Sequence, residues 1–454
     1  MRRALVGVTS LCVVFGVAAC HSVSPIGHAL FGHTTPELPS QFGSVAADEP
    51  RAAMIGRDVL LAGGNAADAA AAMALTLSVT LPSRASLGGG GACLIAHSGQ
   101  KPQAVTFLPV AGGGSGASRP AAVPMMLRGI YRLQRDHGQI QFEDLMVPAI
   151  TLAERGISVS SRLAEDLQAV HGALFADDAA RNIFMRGEDA PLKKGDRLVQ
   201  PRLARFLERT RRMGVGDFYN GALGTFFLTE ANLAGGGLSR AAMRDALPAV
   251  QTPIRVQGKD HIVWFLPPPA DGGLGAAVAL RGAESAQAAV AAWRATPSAQ
   301  ANAASAQAWV DQAQNFTGAL PALPASTSFT VMDRSGGAVA CSLTNNNLFG
   351  TGRVAALTGI VLARSPETAP QPMLSAAIVT RQKQVRAALA SSGQNDAADA
   401  LAKAVRAVNE GAAPAPETVQ GRVNFSHCDG RACMAQTDPR GGGLALGDTV
   451  KKTP

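Results

Sequence analysis

Two short strand-like runs, separated by a tight turn, predict a β-hairpin in the second half of the chain. Residues 326–333 and 337–344 alternate β-branched, small and apolar side chains, and residues 334–337 have the polar, glycine-containing composition of a hairpin turn. A hydroxyl residue, Ser326, therefore opens one buried strand. A segment rich in Thr and Asn, residues 344–347, follows the next strand.

An alanine-rich run predicts a buried helix in the first half. Residues 66–81 are almost all apolar, Asn65 is a favourable N-cap residue, and Pro82 ends the pattern. Four glycines then lead into residues 92–96, a continuous apolar run typical of a strand that is buried on both faces.

Weaker patterns complete the predicted organisation. Residues 46–285 alternate helical and strand patterns with glycine turns, and one helical stretch is expected over 286–310. Residues 381–408 have the pattern of an amphipathic helix pair. A polar tether over 21–45 and a charged, loose tail over 448–454 are expected at the two ends.

Composition indicates a large folded core. The chain has 454 residues, of which 47% are hydrophobic and only 16% charged, which argues against disorder. The formal net charge is +8, but the basic residues are scattered and few aromatic residues lie among them. This distribution favours a solvated basic surface and makes a nucleic-acid site a poor interpretation.

The N-terminus has the pattern of a bacterial lipoprotein signal. Arg2 and Arg3 precede an apolar stretch, and the small residues 17–19 stand immediately before Cys20. We expect residues 1–19 to be removed, which lowers the charge from +8 to +6, and Cys20 to be lipidated. The protein would then be a periplasmic lipoprotein of the cell envelope, anchored to a membrane through Cys20. The alternative is a plain secretory signal.

Four further cysteines belong to the predicted mature chain besides Cys20. Cys428 and Cys433 bracket a turn, and in an oxidising compartment they could close a small disulfide loop. A metal site there is less favoured, because His427 is adjacent but a fourth ligand is missing. Cys93 and Cys341 fall on predicted core strands and are expected to be buried as small apolar residues.

The predicted hairpin and the residues after it carry a family resemblance. Ser-Thr-Ser-Phe-Thr-Val-Met-Asp at 326–333, Thr-Asn-Asn at 344–346 and Phe-Gly-Thr-Gly at 349–352 resemble the start of the small subunit of γ-glutamyltranspeptidases. Further motifs resemble the same family in the same order, at residues 63–70, 88–91, 147–156, 195–201, 267–273 and 438–440. Members of this family are N-terminal-nucleophile (Ntn) hydrolases, which cut their own chain before a Ser or Thr. The freed α-amine then acts as base for that hydroxyl.

The resemblance implies a fold and a reaction. The fold would be a four-layer α-β-β-α sandwich, with residues 46–325 as a large-subunit-like region and 326–454 as a small-subunit-like region of one intertwined domain. The protein would be an amidohydrolase or acyltransferase acting on a small amide or γ-glutamyl-like substrate, as in glutathione metabolism. No cofactor is implied. Self-cleavage between Ala325 and Ser326 would leave two fragments paired with each other.

The same resemblance implies site residues. Ser326 would be the nucleophile, supported by Thr344, with Thr327 as a rival one residue along. Asn346 would contact substrate. The alternatives from the residues alone are an ordinary strand residue for Ser326, a cross-strand hydroxyl for Thr344 and a turn residue for Asn346.

The family's glycine-rich oxyanion turn is absent from this chain. Ser391, Ser392 and Gly393 occupy roughly its place and are the candidate substitutes for binding the substrate oxyanion.

Several family clamp residues are replaced. Leu108 stands at the position of an arginine that grips the substrate carboxylate, and Pro372 and Met373 stand at a Ser-Ser pair. Arg364 takes the place of an acidic residue that binds the substrate amine, with Glu367 only a distant candidate. These replacements predict an altered, more apolar acyl pocket. The alternative is a catalytically inactive member that acts as a binding or structural lipoprotein.

Overall fold

The computed structural model describes residues 41–187, 190–297, 303–312, 314–415, 420–430 and 432–448. The predicted signal sequence and Cys20 lie outside these residues, as does most of the predicted tail.

The strands are, in chain order, β1 (Gly43–Ala47), β2 (Gly90–His97), β3 (Gln103–Phe107), β4 (Val110–Ala111), β5 (Ala122–Val123), β6 (Ile157–Ser158), β7 (Met185–Arg186), β8 (Ala190–Pro191), β9 (Arg197–Leu198), β10 (Ala249–Gln251), β11 (Ile254–Gln257), β12 (His261–Phe265), β13 (Ser326–Asp333), β14 (Gly337–Thr344), β15 (Val354–Ala355), β16 (Ile360–Val361), β17 (Ser375–Arg381), β18 (Gln384–Ser392), β19 (Arg422–Cys428), β20 (Cys433–Thr437) and β21 (Leu444–Leu446).

The helices are α1 (Pro50–Leu61), α2 (Ala66–Thr80), α3 (Met126–His137), α4 (Phe142–Arg155), α5 (Ser161–Leu174), α6 (Asp178–Phe184), α7 (Pro201–Met213), α8 (Val215–Asn220), α9 (Ala222–Leu233), α10 (Arg240–Asp245), α11 (Gly272–Leu280), α12 (Ala286–Arg294), α13 (Ala303–Asp311) and α14 (Ala397–Asn409).

Two stacked antiparallel sheets form the centre of the molecule. One sheet has the strand order β10-β3-β2-β14-β13-β1-β21, and the other has the order β11-β12-β17-β18-β19-β20. Side chains such as Leu94, Met332 and Ile378 fill the space between the sheets. Helices α1 to α10 cover the outer face of the first sheet, and α11 to α14 cover the second. The predicted four-layer α-β-β-α sandwich is confirmed.

The predicted hairpin is confirmed with its expected bounds. The carboxylate of Asp333 fixes its turn and joins the turn to helix α2. The Asp333 side chain accepts hydrogen bonds from the backbone N–H groups of Ser335 (2.9 Å) and Gly337 (2.8 Å) across the turn. Its second oxygen accepts from the N–H of Ala66 (2.9 Å), at the start of α2. The hairpin turn and the predicted alanine-rich helix are therefore joined directly. The strand predicted after the four glycines is also present, as β2.

Three predicted elements differ from the structure. Residues 384–392 form the buried strand β18, so only the second half of the predicted helix pair, α14, is helical. Pairing with β17 and β19 on its two sides overrides the helix propensity of its alanines. The predicted tether ends too late, because residues 43–47 form the fully buried β1. The helix expected over 286–310 is present as two helices, α12 and α13.

Both pairs of described cysteines form disulfides. The predicted Cys428–Cys433 bond closes the turn between β19 and β20. The prediction that Cys93 and Cys341 are unpaired small residues is wrong, because they are bonded to each other. They lie opposite each other in the β2–β14 register, although 248 residues separate them in the sequence.

The described part of the chain contains no helix with the length and hydropathy needed to cross a membrane. Within the same residues, no group of three or more His, Cys, Asp and Glu side chains is arranged to hold a metal ion.

Candidate active site

The predicted cleavage site is surrounded by hydroxyl groups. Ser326 is the first residue of β13 and pairs with Thr344, the last residue of β14. The Thr344 hydroxyl donates a hydrogen bond to the carbonyl oxygen of Ala325 (2.9 Å) and accepts one from the N–H of Asn346 (2.9 Å). The carbonyl of the predicted scissile bond therefore already has an oriented donor where negative charge would develop.

The hydroxyl of Ser326 is buried and has no hydrogen-bond partner among the described residues. Ser328, two residues along β13, donates to the carbonyl of Ala390 in the facing sheet (3.3 Å). Because side chains alternate along a strand, Ser326 lies on this same face, between the two sheets. Unpaired buried hydroxyls also occur at Ser44, Thr76 and Ser375. It is therefore the position of Ser326 directly after the Ala325 carbonyl that distinguishes it.

The rival nucleophile is differently placed. The Thr327 hydroxyl donates to Asp48 (3.0 Å), and the same carboxylate accepts from the N–H of Ser328 (2.9 Å) and the hydroxyl of Ser392 (2.9 Å). Its other oxygen accepts from the side-chain amide of Asn424 (2.8 Å). Asp48 therefore ties β13 to the facing sheet and restrains Thr327. Sequence analysis missed Asp48, because it carries no motif of its own and directly follows a segment expected to be a tether.

An arginine holds the other side of the scissile bond. Arg84 donates to the carbonyl oxygen of Ser326 (2.9 Å) and makes a two-point contact with Asp166 (2.7 Å for both bonds). Burial alone would lower the pKa of Arg84, but the hydrogen bonds and charge of Asp166 raise it. The guanidinium is therefore a fixed positive charge beside Ser326, the predicted nucleophile.

A cavity of about 440 Å³ opens beside the scissile bond. Residues 323–325 form part of its wall, and the side chains of Arg84, Arg162, Arg422 and Arg440 contribute four guanidinium groups. No acidic residue lines it within the described part of the chain. This cavity is strongly basic, and the more apolar acyl pocket stays a prediction.

The gamma-glutamyltranspeptidase family model matches residues 52–295, more than half of the chain. The chain belongs to the gamma-glutamyltranspeptidase family. Its alignment with the glutathione hydrolase proenzyme of Escherichia coli has 27% identity and covers 80% of this chain and 73% of that protein. Its alignment with glutathione hydrolase 3 of Arabidopsis thaliana has 30% identity and covers 55% of this chain and only 41% of the relative.

Solved structures share the fold. A cephalosporin acylase from Bacillus halodurans superimposes with a TM-score of 0.73 at 20% identity, covering 89% of this chain and 96% of the acylase. The gamma-glutamyltranspeptidase of Helicobacter pylori has a TM-score of 0.51 at 23% identity, covering 60% of this chain and 92% of that one. The same fold thus occurs in a protein named as an acylase and in one named as a transpeptidase.

The segment that replaces the family's oxyanion turn is only partly directed at the cavity. Gly393 lines the cavity, in a left-handed backbone conformation with a φ of 125°. The Ser391 hydroxyl donates to the carbonyl of Ala397 (2.7 Å), and the Ser392 hydroxyl is held by Asp48. Substrate binding by these three residues stays a prediction.

Asn346 is held close to Thr344, as the family motif predicts. Its side-chain amide donates to the carbonyl of Arg364 (3.0 Å), while its side-chain oxygen is buried without a described hydrogen-bond partner. Its φ of 57° places it in the left-handed region that asparagine tolerates well. An acceptor is therefore available here, and its use by substrate stays a prediction.

The residues that replace the family's substrate clamps lie away from the basic cavity. Leu108 packs against the apolar layer between the sheets, and Met373 is buried in the core on the outer face of the second sheet. Arg364 lines a neighbouring surface cavity with Ser118 and Thr351, and its carbonyl accepts from Asn346. Leu108 and Met373 therefore supply no clamp in the basic cavity.

Proposed function

We propose that the protein is a self-cleaving Ntn amidohydrolase or acyltransferase in which Ser326 is the nucleophile. One observation carries the proposal: the carbonyl of Ala325 accepts a hydrogen bond from Thr344 while the adjacent Ser326 hydroxyl has no partner. A donor on this carbonyl and a hydroxyl without a competing partner both favour attack by Ser326 on the peptide bond that precedes it.

Self-cleavage would proceed by an acyl shift. The Ser326 oxygen bonds to the carbonyl carbon of Ala325, and the hydroxyl proton passes to the departing peptide nitrogen as the C–N bond breaks. The resulting ester is hydrolysed by water, which leaves a carboxylate on Ala325 and a free α-amine and hydroxyl on Ser326. During attack, the Thr344 hydroxyl stabilises the negative charge on the Ala325 oxygen.

Turnover of a substrate would use the same serine. The freed α-amine accepts the hydroxyl proton as Ser326 attacks a small amide, and the proton then passes to the departing amine. Water or a second amine resolves the ester. The contacts of Arg84 with the Ser326 carbonyl, and of Asp48 with the next two residues, hold the nucleophile in place.

The test is the position of the cut. We expect the reduced wild-type protein to yield two fragments by mass spectrometry, one ending at Ala325 and one beginning with Ser326. Ser326→Ala should leave a single chain, whereas Thr327→Ala should still be cut. A wild-type chain that stays intact after prolonged incubation would favour a non-catalytic binding or structural protein. A cut before Thr327 would assign the nucleophile to that residue.

We also infer from the sequence that the protein is a periplasmic lipoprotein anchored through Cys20. The support is the apolar N-terminal stretch that ends in small residues before this cysteine. Mass spectrometry of the mature N-terminus from a bacterial host should find acyl chains on Cys20. A free α-amine on any other first residue would contradict the anchor.

A further inference from the structure

The basic cavity beside the scissile bond is assembled from distant parts of the chain. Arg84 lies in the turn after α2, Arg162 on α5, Arg422 at the start of β19 and Arg440 in the short turn after β20. Guanidinium groups repel one another, so a cluster of this kind requires neutralising partners.

Three of the four guanidinium groups have a carboxylate partner. The nitrogen–oxygen distances are 2.7 Å for Arg84 to Asp166, 2.8 Å for Arg162 to Glu165 and 2.6 Å for Arg440 to Asp438. These three carboxylates do not line the cavity, and they offset much of the positive charge of the arginines that do.

Arg422 is the exception. Among the described residues it has no carboxylate partner, and its Nε is buried without a hydrogen-bond acceptor. Burial lowers the pKa of Arg422, and the positive charges of Arg162 and Arg84 add to this effect, against the opposing charges of Asp48 and Asp438. The Nε of Arg162, a residue with only 7% of its surface exposed, is also unpaired. Within the described residues, two buried guanidinium nitrogens of the cavity-lining arginines therefore lack protein acceptors, and Arg422 also lacks a carboxylate to neutralise its charge.

We propose that this cavity binds a carboxylate through Arg422 and Arg162, and that the group bound carries no amine beside that carboxylate. A carboxylate matches the paired N–H donors of a guanidinium, and Arg422 has no carboxylate in the described part of the chain that competes for them. An ammonium group would meet four guanidinium groups with no acidic lining residue to receive it. If the proposed function holds, the site selects acyl groups that end in an acid and lack an α-amine, in contrast to the glutamyl group.

The test measures binding to the uncut Ser326→Ala chain by isothermal titration calorimetry. Three probes share a length and a terminal amide: glutaramate has a carboxylate, L-glutamine has a carboxylate with an adjacent amine, and glutaramide has neither charge. We expect glutaramate to bind at least about ten-fold more tightly than the other two. Inorganic phosphate is the fourth probe and should bind more weakly than glutaramate.

The variant Arg422→Gln should weaken glutaramate binding by about 10- to 100-fold, since hydrogen bonds to charged groups are lost. Arg422→Lys should restore part of the affinity, because it keeps the charge without the planar donor edge. Arg255→Gln is the matched control: this arginine is exposed on β11 of the same sheet, and binding should be unchanged. Thermal unfolding of each variant checks that the fold is retained.

The carboxylate site is overturned if glutaramate does not bind, or if it binds Arg422→Gln as well as the parent. Tighter binding of L-glutamine would overturn the exclusion of the amine, and tighter binding of phosphate would overturn the choice of carboxylate. Because the uncut chain is used, these results do not depend on self-cleavage. The selection of acyl groups during catalysis is tested separately on cleaved protein. There the hydrolysis rate of a glutaryl amide is compared with that of the matching γ-glutamyl amide, and the glutaryl amide should react faster.

Discussion

At the scale of single residues, the hydroxyl groups of the candidate site differ in whether they have a hydrogen-bond partner. The Thr327 hydroxyl donates to Asp48, and the Thr344 hydroxyl donates to the Ala325 carbonyl. Ser326 is then the hydroxyl without a partner at the proposed cleavage site, among the described residues. Sequence alone left Ser326 and Thr327 as alternatives. The distinction depends on Asp48, whose contacts come from strands far apart in the chain and which no local motif marks.

Thr344 supplies a residue-scale prediction. Thr344→Val keeps the side-chain shape but removes the donor to the Ala325 carbonyl, so self-cleavage should slow by about 100- to 1000-fold. The rate is measured as the fraction of cut chain over time. Thr106→Val, in the same sheet but bonded to Gln251 at its far edge, should leave the rate unchanged. An unaltered rate in Thr344→Val would exclude this hydroxyl from charge stabilisation.

At the scale of elements, local patterns predicted the strands and helices that carry family motifs. The hairpin at 326–344 and helix α2 follow from turn residues, a capping asparagine and a continuous apolar run. Strand β18 could not be predicted in this way, because its alanine-rich run has a helical composition and becomes a strand only between two partners. The basic cavity is a similar case, since its arginines are far apart in sequence and meet only in the folded chain.

The Asp333 carboxylate joins the hairpin turn to helix α2, and its removal should lower the stability of the fold. Asp333→Ala leaves the N–H groups of Ala66, Ser335 and Gly337 without their acceptor, so the unfolding free energy should fall by about 2–3 kcal/mol. Urea unfolding of the Ser326→Ala chain measures this loss without interference from self-cleavage. Ser335→Ala removes one hydroxyl contact to the same carboxylate and should cost less than about 1 kcal/mol. Equal losses in both variants would contradict the joint.

At the scale of the whole molecule, the segments before and after Ser326 both contribute strands to each of the two sheets. In the first sheet, β13 and β14 from the second half lie between β2 and β1 from the first half. In the second sheet, β12 from the first half pairs with β17 from the second. A cut before Ser326 would therefore leave both fragments within one continuous core.

The disulfide between Cys93 and Cys341 adds a consequence for any chain that has been cut. Cys93 precedes the proposed cut and Cys341 follows it, so this disulfide would link the two fragments covalently. Denatured, unreduced protein should migrate as one species and gain only the mass of one water molecule, whereas reduction should release two. With Cys93→Ser and Cys341→Ser together, the fragments should separate in denaturant without reductant. Maturation would thus be invisible on an unreduced gel, and the two halves of the enzyme could not exchange partners in an oxidising compartment.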